Sequence, residues 1–96
     1  MRLTENERKH IKQHVIQFFG EGSRVFLFGS RVDDSKKGGD IDLFIEPKYL
    51  ENEFEQKITL LTALQLALGD QKIDIVVAKD STRLIEQEAR RTGVLL

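Results

Sequence analysis

Three short apolar runs, each with a chain breaker near one end, limit what these 96 residues can become. Residues 25–28 (VFLF) run into Gly29, residues 41–45 (IDLFI) stop before Pro47, and residues 73–77 (IDIVV) follow Gly69-Asp70. They are too short for helices and rich in β-branched and aromatic side chains, so they are expected to be buried strands. The segments between them carry a helical period. Thr4 with Glu7 is a capping-box pattern opening a first helix, with Ile11, Val15, Phe18 and Phe19 on one stripe and Gly20 at its end. Residues 51–68 form a second helix with Phe54, Ile58, Leu61, Leu64 and Leu68 expected on one face. A third helix runs from a cap at Asp80 or Ser81 to Arg91 and is stopped by Gly93. The predicted order is α-β-(loop)-β-α-β-α, an α/β fold with a small sheet flanked by helices, and one domain over 1–96.

Two of the strands carry acids in the wrong place for a core. Asp40 and Asp42 flank Ile41, and Asp74 is the sole charge between Ile73 and Val77. Side chains two apart on a strand share a face, so Asp40 and Asp42 stand side by side and raise each other's pKa. A divalent cation between the carboxylates removes that cost. Asp74 repeats the pattern on a second strand, where it can complete a metal site or take the proton of an attacking hydroxyl. Gly29-Ser30, at the end of the first strand, forms a turn where backbone N–H groups can approach a phosphate. Arg31, Lys36 and Lys37 on the following loop are further phosphate candidates. Phosphate together with metal points to a nucleotide. A calcium-loop reading of Asp40, Asp42 and Glu51 fails, because Ile45 stands where that loop needs glycine. His10 and His14 share a helix face but have no evident third ligand, so surface histidines are expected. Arg83, Arg90 and Arg91 are expected to complement the last helix's dipole.

Composition narrows the rest. A net charge of −1 gives no basic field for direct nucleic-acid binding. The absence of cysteine excludes disulfides, thiolate metal sites and cysteine nucleophiles. No apolar run approaches a membrane span, and a cytoplasmic protein without membrane contact is expected.

The ordered set Val25 to Arg31, Gly39 to Ile45 and Ile73 to Val77 resembles the minimal nucleotidyltransferase family, the smallest branch of the polymerase-β-like superfamily. The resemblance covers nearly the whole chain. It implies a mixed sheet and Mg²⁺ held by Asp40 and Asp42. Asp74 would complete the acidic triad, and Gly29, Ser30 and Arg31 would lie at the nucleotide's phosphates. The chain departs from the common pattern in lacking a second arginine after Arg31 and in a nine-residue spacer before Asp40. Proteins of this kind are commonly encoded beside an all-helical HEPN protein as a toxin–antitoxin pair, some transferring AMP from ATP to the toxin. The resemblance therefore implies an Mg²⁺- and ATP-dependent nucleotidyltransferase with a HEPN-type toxin as partner. Two other readings stay open: an antitoxin that acts by binding alone, and a small-molecule nucleotidyltransferase whose acceptor pocket a homodimer would build.

Overall fold

The computed structural model describes residues 3–32 and 40–96. Helix α1 (Glu5–Phe19) begins with the expected box: the Thr4 hydroxyl accepts from Glu7 N–H, and the Glu7 carboxylate accepts from Thr4 N–H. Strand β1 (Arg24–Phe28) leads into a 3-10 turn at Gly29–Val32, then come β2 (Ile41–Glu46), α2 (Glu53–Leu68), β3 (Ile73–Val77), α3 (Leu84–Thr92) and a two-residue strand β4 (Val94–Leu95).

The four strands form one mixed sheet in the order β3-β2-β1-β4. β2 pairs parallel with β3, and β1 pairs antiparallel with β2 and β4. Parallel strands need a long crossover, which α2 supplies. Ile11, Val15 and Phe19 of α1 and Leu60 and Leu64 of α2 pack with Val25, Leu27, Ile41, Leu43, Ile45, Ile73, Ile75 and Val77 of the strands. The opposite face is covered more thinly, by α3, with Ala89 against Phe28 and Phe44. Alternation along the strands sends the acids to that thinly covered face, and this is what makes them available.

The expected inward face of α2 is rotated. Leu60 and Leu64 are its buried residues, Leu61 and Leu68 are half-buried, and Phe54 and Ile58 are exposed, Phe54 at 75%. Apolar residues lie around much of this helix, Leu66 at 83% exposure among them, so periodicity does not single out one face. Packing against α1 and the sheet decides it. Helix α3 starts at Leu84, later than expected, with Arg83 at its cap position and no side-chain cap. Asp80 instead closes a tight turn, accepting from the N–H and hydroxyl of Thr82. β4 carries too few residues to leave a sequence signal. No helix among the described residues is long and apolar enough to cross a membrane.

Candidate active site

The parallel register places Asp42 directly opposite Asp74, and the antiparallel register places it opposite Phe28, the last residue of β1. The end of β1 and the starts of β2 and β3 therefore meet at one end of the sheet. Asp42 is half-buried and Asp74 is exposed. Asp42 is pushed up to about 6, first by burial, then by the charges of Asp74 and Asp40 and by the hydrogen bond its protonated carboxyl gives to Asp74; Lys72 pulls the other way. Burial and like charge act in the same direction here, both favouring the protonated carboxyl. Asp40 lies just before β2, and its Oδ2 is 3.4 Å from Nζ of Lys72.

Gly29 makes the close approach possible. Its φ of +77° suits glycine, and a Cβ at this position would collide with the Asp42 carboxylate. The residue is glycine for two independent reasons, backbone conformation and space for the acid. Gly29→Ala is therefore expected to cost about 2 kcal/mol, read by thermal melting. Gly69→Ala is the control, because Gly69 also has positive φ (+87°) but has nothing within 4 Å of the added carbon. A larger loss at Gly29 than at Gly69 is the signature of the collision.

Arg31, in the 3-10 turn, donates from Nη2 to Gln71 Oε1 at 3.0 Å. Gln71 Nε2 donates in turn to Glu7 Oε2 at 3.0 Å and to the Leu68 carbonyl at 3.1 Å. Burial raises the pKa of Glu7, but the Thr4 N–H, the Gln71 amide and the Arg31 charge together bring it below the ordinary value. Lys36 and Lys37, and the side chain of Ser30, lie outside the described residues.

Asp40, Asp42 and Asp74 thus come to one end of the sheet, with Gly29 against Asp42. Among the described residues, no three His, Asp or Glu side chains are gathered tightly enough to hold a metal ion as they stand. The donor set still fits Mg²⁺: these are hard carboxylate oxygens, and magnesium is commonly bound by one or two carboxylates with substrate phosphates. Asp42 and Asp74 supply the touching pair, and Asp40 stands nearby on Lys72.

A family model described as Polymerase beta, Nucleotidyltransferase matches residues 9–96. The chain belongs to this nucleotidyltransferase family. Its fold is similar to a crystal structure of a mutant of the toxin–antitoxin MntA-HpeT, with a TM-score of 0.69 and 21% identity over 94% of this chain and 70% of that one. No curated protein matches the sequence.

Two residues of this nucleotidyltransferase's site region were missed in the sequence, Gln71 and Lys72, adjacent in the turn between α2 and β3. Lys72 carried a usable signal, since it lies two residues before Asp74 and so at the same end of the sheet. Gln71 carried none, because its partners come from α1 and the 3-10 turn. Elsewhere, His10 and His14 stack on each other with ring centroids 6.0 Å apart, and His14 stacks on Phe18. Arg90 lies over the Phe44 ring at 4.9 Å and bonds Glu86 Oε1, so its role is structural packing of α3 on the sheet as well as helix-end charge.

Proposed function

We propose that this protein is an Mg²⁺-dependent nucleotidyltransferase that transfers AMP from ATP to a partner protein, a HEPN-type toxin, and so acts as an antitoxin. The observation that carries the reading is the hydrogen-bonded pair Asp42–Asp74, where burial first and then like charge raise Asp42 to about 6, set against a glycine turn at a strand end. Asp40, Asp42 and Asp74 would hold Mg²⁺. When bound, the metal would neutralise triphosphate charge at the α-phosphate. The turn at Gly29 and Ser30, with Arg31 beside it, would receive the phosphates. Asp74 is exposed and borders a groove that Lys57, Ile58, Leu61, Ile73 and Ile75 also line, so an acceptor side chain can reach it. The acceptor hydroxyl oxygen forms the new bond to the α-phosphorus, pyrophosphate leaves with the electrons of the broken bond, and Asp74 takes the hydroxyl proton.

The toxin partner is supported by the fold shared with the MntA-HpeT structure. Its described mutant replaces two aspartates, two residues apart, with glutamates, the spacing of Asp40 and Asp42. The decisive test combines this protein, the product of the gene beside it, ATP and Mg²⁺, and takes the intact mass of both chains. An AMP-sized increment on the neighbour is expected, absent with an Asp40/Asp42 double-alanine variant. An unmodified neighbour in a stable complex would instead establish an antitoxin that acts by binding alone. One observation favours that second reading: Asp40 is occupied by Lys72 rather than gathered into a three-acid cluster.

A further inference from the structure

Arg31 is tied to the turn on the far side of the sheet end by a chain of hydrogen bonds that closes in one way only. A guanidinium is donor-only and a carboxylate acceptor-only. Gln71 sits between them, with its carbonyl oxygen 3.0 Å from Arg31 Nη2 and its amide nitrogen 3.0 Å from Glu7 Oε2. The opposite amide orientation would face like against like at both contacts and at the Leu68 carbonyl. Glu7 is itself held, because its other oxygen accepts from Thr4 N–H at 2.9 Å as half of the α1 capping box. The relay therefore runs from the first turn of α1, through the α2–β3 turn, to the turn that follows β1.

We infer that Gln71 is a positioning residue for nucleotide binding, holding the Arg31 guanidinium in place from Glu7 so that it meets the phosphates pre-ordered. The inference rests on the proposed nucleotide site and adds to it a residue that touches neither nucleotide nor metal. Its physical content is entropy: arginine has many rotamers to lose, and a side chain already held loses less of that freedom on binding. Glu7 acts in the same relay, one step further back, and Lys72 beside Gln71 anchors Asp40, so this short turn touches both flanks of the site.

Two readouts test it. The first is the side-chain Nε–H resonance of Arg31 in ¹⁵N NMR of the free protein, which reports whether the guanidinium is held. The second is the Kd for Mg·ATP by calorimetry. Gln71→Leu is expected to shift and broaden the Arg31 resonance and to weaken Mg·ATP about tenfold. In an Arg31→Ala background the same substitution is expected to change Kd by less than about twofold, since the two act as one unit. The pair Glu7→Gln with Gln71→Glu exchanges carboxylate and amide and restores the contacts to Arg31 and to residue 7, giving up only the one to the Leu68 carbonyl, so it should bring affinity back to within about threefold of wild type. An unchanged Arg31 resonance, an unchanged Kd, or losses that simply add with Arg31→Ala would each overturn the inference. Absence of Mg·ATP binding by the wild-type protein would overturn the nucleotide site and this inference together, and it is recognised by the blank in the unsubstituted chain.

Discussion

Replacing Asp42 with alanine is expected to remove nucleotide transfer, a loss of about a thousandfold, while leaving the fold intact and the metal-free protein more stable at neutral pH. The stability half of this result follows from linkage. Asp42 titrates at about 6 in the folded chain against an ordinary value of 3.8. Between those values the folded state holds a proton that the unfolded state has released. Stability that is intact below pH 3.8 therefore falls as pH rises and is fully lost above about pH 6. Taken whole, such a shift corresponds to about 3 kcal/mol. Asp42 is exposed enough for solvent to screen much of that, and about 1 kcal/mol is the expected gain in Asp42→Ala or Asp42→Asn at pH 7. Denaturant unfolding at pH 7 and pH 3.5 checks it, with the gain present at the first and absent at the second. A variant that lost stability at pH 7 would show that Asp42 holds the fold together rather than straining it. The same shift predicts that Mg²⁺ affinity weakens as pH falls below about 6, because the cation must displace the proton shared with Asp74.

Glu86→Ala is expected to be the most damaging substitution to the fold, at about 3 kcal/mol out of a total near 10 kcal/mol for a chain of this size. Glu86 is fully buried at the α3–sheet junction. Its Oε2 accepts from the backbone N–H of Lys79 and of Asp80, each at 2.9 Å, and from Arg83 at 3.0 Å, while Oε1 accepts from Arg90 at 3.3 Å. Burial alone would raise its pKa, but the Asp80 and Lys79 N–H groups, with Arg90 and Arg83, outweigh it and hold the carboxyl below its ordinary value. Removing the carboxylate leaves two backbone donors without their acceptor and takes one acceptor from each guanidinium, Arg83 keeping the Val77 carbonyl and Arg90 keeping Glu46. Glu86→Gln keeps the volume and one oxygen but turns an amide nitrogen toward a donor, and about 2 kcal/mol is expected. Because the folded pKa is depressed, this contribution is intact above pH 4.5 and is lost as pH falls through the depressed value. Wild type should therefore lose stability in acid more steeply than Glu86→Ala, as equilibrium unfolding from pH 7 to pH 3 would record. Equal acid sensitivity in the two proteins would remove Glu86 from this role.

The acids and the glycine were legible because each breaks a local rule that a plain strand would obey. A charge inside a short apolar run has a cost in any fold, and Asp40, Asp42 and Asp74 are such charges. The sheet then brings them to one end through the β2–β3 register. Glu86 was invisible for the opposite reason: glutamate on a helix violates nothing. In the sequence it reads as one more solvent-facing acid, and only the packing of α3 against the 79–80 turn makes it a buried hub. The inward face of α2 was misread because its apolar residues span several faces.

The order of the three helices and the first three strands, the strand identity of the three apolar runs, the capping box of α1 and the crowding of Asp40 with Asp42 were determined by the sequence alone. Each depends on residues within a few positions of one another, where side-chain alternation and backbone preference act directly. The pairing of Asp42 with Asp74, the closeness of Gly29 to the Asp42 carboxylate, the anchoring of Asp40 by Lys72 and the Arg31–Gln71–Glu7 relay were decided by the tertiary structure. These contacts join separate elements, and their geometry is set by strand register and helix packing, which come from burying the apolar faces as a whole rather than from the residues that end up touching.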